Sequence, residues 1–181
     1  MPATPALAHF QSSRRRPLAE QRGRVAFALS GLVWLFSGCD SHDTDEHDPL
    51  AEACEHLADG PAKALQAGAD DASAVDGSAI HMRMDLSLVD YAGAKGGVVK
   101  LAIAEAGDWM VLLSEDVTLS VASPSGAAIA PKASQPGGGT CPSAKVIHTY
   151  SLGVGAHLLR FGPGPGASVN VVVEAAADSD H

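Results

Sequence analysis

The chain has 181 residues, with 12 Lys and Arg against 21 Asp and Glu, a net charge of −9 and only 4 % aromatic residues. So acidic a surface repels phosphate backbones, which excludes nucleic acid as a partner, and so few rings leave little from which to build a base-stacking platform. The elements then follow in chain order. Arg14, Arg15, Arg16, Arg22 and Arg24 precede an apolar run of 12 residues, Val25 to Phe36. A membrane-spanning helix needs about 20 residues, so this run is too short to span. Small Ser37 and Gly38 lead into Cys39, and the chain turns intensely polar at DSHDTDEHD. A basic region, a short apolar core and a small-residue exit make a secretory signal peptide over 1–38.

Leu35-Phe36-Ser37-Gly38-Cys39 resembles the bacterial lipobox, with Phe36 where Leu or Val is usual. The resemblance implies that Cys39 carries a diacylglycerol and begins the mature chain. The protein would then be a lipoprotein, anchored to a bacterial membrane and facing the periplasm. Asp40 resembles an inner-membrane retention signal. An ordinary signal peptide cut near Ser37 is the alternative. Ser13-Arg14-Arg15-Arg16-Pro17-Leu18 loosely resembles a twin-arginine motif, with Pro17 in place of the aromatic residue. Seven of the Lys and Arg and 20 of the Asp and Glu follow Cys39, so the mature chain carries about −13. Its 143 residues are enough for one domain with its own core.

Export sorts the remaining cysteines. Cys54 and Cys141 form an even pair in an oxidising compartment and are expected to bridge; two separate buried thiols are the alternative. Residues 39–48 read as an acidic tether, without the apolar residues needed to pack. Asp48 is a good N-cap and Pro49 suits the first helical position. Leu50, Ala53, Cys54 and Leu57 then share one helical face, and Gly60-Pro61 ends the helix. Further on, Ile80, Met82, Met84, Leu86 and Leu88 alternate with His81, Arg83, Asp85 and Ser87 in an expected strand, 79–89. More strands are expected over 97–104, 109–114, 117–123, 145–152, 157–162 and 168–174, with a weaker one over 127–130 and a glycine-rich loop over 134–143. Short strands at roughly ten-residue intervals predict a mainly β fold: an antiparallel, jelly-roll-like β-sandwich over 49–175 with one short N-terminal helix. Residues 176–181 read as a flexible tail.

Two segments, AEAGDWMVLLS and LGVGAHLLRFG, share a glycine turn, a large ring (Trp109 or His157) and an apolar strand. This pattern resembles the bacterial pre-peptidase C-terminal domains over about residues 97–175. The resemblance implies a β-sandwich with an accessory rather than a catalytic role. It does not carry over calcium or carbohydrate binding, because no run of paired acidic residues stands in the loops.

Motifs for chemistry are sparse. Gly-x-Ser-x-Gly, Cys-x-x-Cys and His-Glu-x-x-His are absent, and no catalytic residue is assigned. The histidines form the one constellation worth weighing. Glu52 and His56 stand at i, i+4 on the helix and share a face. His81 is on the polar side of its strand, and His148 follows Cys141 by seven residues. If the bridge draws the helix beside the strand near Lys145, then Glu52, His56, His81 and His148 become a candidate site for Zn or Cu. Alternation assigns Met82 and Met84 to the core rather than to copper, and His157, standing where the similar segment has Trp109, reads as a packed ring at a strand start. The expected function is that of a non-catalytic exported lipoprotein, a binding or structural module of the cell envelope. The alternative is an envelope metal-binding protein using His56, His81 and His148.

Overall fold

The computed structural model describes residues 48–78, 81–91, 93–164 and 166–176, all within one unit, Thr44–His181. The signal peptide expected over 1–38, Cys39 and the expected tether as far as His47 lie outside the described residues, as does the tail expected beyond Ala176. The described elements are one helix, α1 (Pro49–Asp59), and twelve strands. These are β1 (Ala62–Gln66), β2 (Val75–Asp76), β3 (Arg83–Ser87), β4 (Val89–Tyr91), β5 (Ala94–Ile103) and β6 (Gly107–Leu113). There follow β7 (Leu119–Ala122), β8 (Ala128–Ile129), β9 (Ala133–Pro136), β10 (Val146–Leu152), β11 (Gly155–Gly164) and β12 (Ser168–Ala175). No described helix is long and apolar enough to cross a membrane.

The strands form two sheets. The first has the order β1-β3-β12-β6-β10-β9; the second has the order β2-β5-β11-β7-β8, with β4 also paired to β5. Alternation decides which side chains lie between them. Trp109, Val111 and Leu113 from β6 and Val169, Val171 and Val173 from β12 meet Val99, Leu101 and Ile103 from β5 and Leu159 and Phe161 from β11 in one core. The opposite face of the first sheet is also covered. Met110 and Leu112 from β6, Ile147 from β10 and Val172 from β12 pack under Ala53 and Leu57 of α1. β6 and β12 are therefore buried on both faces, which is why their sequences read as nearly unbroken apolar runs.

The helix starts as its sequence dictates. Asp48 Oδ1 accepts a hydrogen bond from Leu50 N at 3.0 Å, Pro49 occupies the first turn, and Gly60 N donates to His56 O at 3.0 Å at the other end. A disulfide joins Cys54 to Cys141, Cα–Cα 5.4 Å, and fixes α1 to the loop ahead of β10.

The described residues thus form the expected mainly β sandwich with a single short helix, and they differ from expectation in detail. Two pairs are parallel, β1 with β3 and β2 with β5, so both sheets are mixed. In place of the single strand expected over 79–89, residues 79 and 80 lie outside the described residues, His81 and Met82 form a turn, and the remainder belongs to two strands in two different sheets. β3 pairs β12 in the first sheet and β4 pairs β5 in the second, with the crossing at Leu88. Met84 is in the core, but Met82 precedes β3 and is only partly buried. The loop expected over 134–143 begins with the edge strand β9, whose four residues are all exposed.

Candidate functional site

Four polar side chains converge where α1 crosses the end of β12. Glu52 and His56 come from α1, one turn apart. Glu174 points outward from β12 on the same face as Val172, yet is only 3 % exposed because the helix covers it. His81 stands in the turn before β3 with φ +56°. A histidine in this left-handed region is uncommon and costs about 1–3 kcal/mol. Two residues on, Arg83 ties the start of β3 to the helix: its Nη1 donates to Ala58 O at 2.9 Å and Leu57 O at 3.4 Å at the helix C-terminus. A guanidinium there satisfies carbonyls that no helical N–H reaches, and it complements the helix dipole.

The distances are short. His81 Nδ1 lies 2.8 Å from Glu174 Oε1 and 3.7 Å from Glu52 Oε1. His56 Nδ1 lies 3.9 Å from Glu174 Oε2 and is shut off from water without a hydrogen bond. The imidazole rings are 6.1 Å apart at 77°. One donor atom from each of Glu52, His56 and His81 falls within 4.8 Å of the others. Beside them opens a cleft of about 320 Å³, lined by His81, Glu174, Trp109, Asp108 and Glu105 among others. Lys132 and Ser151 hydrogen-bond Asp108 and hold its carboxyl below the usual carboxylate range.

Of the residues expected to form this site, three are brought together and one is not. His148 belongs to β10, whose Ile147 packs against the helix side of the sheet while Tyr150 and Leu152 face the other sheet. The bridge does draw β10 beside the helix. One-residue parity, however, turns His148 to the opposite face, where its Nδ1 is 2.7 Å from Ser134 Oγ and burial lowers its pKa. Glu174 takes its place in the cluster. Only strand pairing reveals this, because β12 must lie under α1 before a residue two beyond Val172 can meet His56. His157 is a buried ring at the start of β11 with Nε2 2.7 Å from Gly153 O, and Trp109 occupies the matching place on β6.

A scan against protein-family models finds no match for this sequence, and a search of curated proteins finds none either.

Proposed function

We propose that this chain is an exported, lipid-anchored module of a bacterial cell envelope, one that binds or supports rather than catalyses. The observation that carries the reading is the Cys54–Cys141 disulfide. Such bridges persist in oxidising compartments outside the cytosol, and the pairing leaves Cys39 as the third cysteine, behind a basic and then apolar leader. The folded domain opens at Asp48, nine residues past Cys39. An acidic tether of that length suits a domain held close to a membrane surface. Trp109 and His157 standing at equivalent strand starts supports the likeness to accessory sandwich domains.

The test is anchoring. Wild-type protein should partition with membranes and incorporate labelled palmitate, and Cys39→Ala should do neither. A wild type that is soluble and unlabelled would overturn the proposal.

A further inference from the structure

We infer that Glu52, His56, His81 and Glu174 together form a binding site for one divalent transition-metal ion, with Zn²⁺ the best-matched probe. The inference stands apart from membrane anchoring, since it rests on side-chain geometry alone. Two imidazoles and two carboxylates are a borderline donor set. They suit Zn²⁺ and compete for Cu²⁺, while the absence of thiolate or thioether among them disfavours Cu⁺.

The spacing fits. Tetrahedral ligands about 2.1 Å from zinc stand about 3.4 Å from one another. Three of the six separations are 2.8, 3.7 and 3.9 Å, and one donor atom each of Glu52, His56 and His81 already falls within 4.8 Å of the others, so these three come near that spacing and Glu174 joins them through its contacts with both histidines. The scaffold is already fixed. Glu52 and His56 flank Cys54, whose bridge pins the helix, and Glu174 sits in a strand buried on both faces. His56 adds an independent sign, since its Nδ1 is sequestered without a hydrogen bond and faces the Glu174 carboxylate. A metal ion would satisfy that nitrogen and offset the cost of keeping it from water.

Access is provided as well. His81, its side chain 61 % exposed, lines the adjoining cleft together with Glu105, whose carboxylate adds negative potential there. A cation can enter from solvent, with His81 the last ligand to close on it.

The experiment titrates chelator-treated full-length chain with Zn²⁺ by calorimetry. His9, His42, His47 and His181 are replaced by Ala, so that histidines outside the described residues contribute nothing. One equivalent should bind, and the melting temperature should rise with bound metal, because a ligand of the folded state stabilises it. His56→Ala, His81→Ala and Glu174→Gln should each weaken binding by about 100-fold, the upper end of what losing even a supporting residue does at metal sites. His148→Ala, on the opposite face of the sheet, should leave affinity unchanged. Should His56→Ala fail to fold, exposed His81 and the isosteric Glu174→Gln still decide the matter. Binding well below one equivalent overturns the site, as does stoichiometric binding that survives both His81→Ala and Glu174→Gln; the cluster is then only an ion-pair network between α1 and β12.

Discussion

The first sheet has two faces, and they are held by different physics. Between the sheets lies a continuous apolar layer, with Leu101, Leu113, Leu159, Phe161, Val171 and Val173 fully removed from solvent and both sheets contributing. Burial of area suffices there. The helix face is smaller, built around Ala53, Leu57, Met110, Leu112, Ile147 and Val172. A single helix of 11 residues is too short to persist unaided. It is secured by a covalent bridge, by Arg83 at its C-terminus and by the Glu174–histidine cluster. The lesson is that polar and covalent devices gather where apolar area runs out, and such a place can also hold chemistry.

The sharpest way to break the comparison is to damage each layer separately. Phe161→Ala empties the middle of the inter-sheet layer. It should cost about 3–5 kcal/mol in urea denaturation and weaken both sheets together. A loss under 1 kcal/mol would mean that the layer is not the continuous core described. Opening the bridge, by reduction or by Cys54→Ser with Cys141→Ser, should cost about 2–5 kcal/mol, the range for native disulfides in small secreted domains. Hydrogen exchange separates the two layers in that variant: α1 amides should lose protection while β5, β6 and β11 keep theirs. Equal loss in helix and strands would show one cooperative unit rather than two differently held layers.

The smallest effect concerns pH. Burial lowers the His148 pKa, so its neutral form is favoured in the fold. That contribution is fully present above about pH 6.5 and is lost as pH falls through the folded-state value. His148→Gln should therefore flatten the decline of stability between about pH 7 and pH 5, measured as the urea midpoint across that range. An unchanged slope would place His148 in water rather than against the inter-sheet layer.

How much of this was legible beforehand varies with the kind of information. The helix announced itself through Asp48, Pro49 and the spacing of Leu50, Ala53 and Leu57, because caps and periodicity are local signals. The bridge followed from counting cysteines. β1 was invisible, since AKALQ favours a helix by propensity and lies exposed at a sheet edge. β9 was hidden for the related reason that an edge strand with Pro136 buries nothing. Alternation holds over 83–88, but alternation does not record a change of sheet. In the cluster, Glu52 and His56 could be chosen from helical spacing; strand parity singles out His81, which instead reaches the site from a turn ahead of β3. Glu174 could not be chosen, because its place depends on which strand the helix covers. His148 failed by a single residue, the step between Ile147 and its neighbour.

The placement of the bridge also decides how the domain meets a mechanical load. A pull on the chain from upstream of Asp48 enters through the first turn of α1 and can strip only the stretch ahead of Cys54. There the cross-link diverts the force to Cys141 and into β10, an interior strand hydrogen-bonded on both sides, to β6 and to β9. Stripping the helix from the sheet one contact at a time is thereby confined to the stretch ahead of Cys54, and further separation has to disrupt a strand paired on both sides. Glu52 lies on the strippable side of the cross-link and His56 beyond it, so the cluster would come apart under tension while both sheets stayed whole.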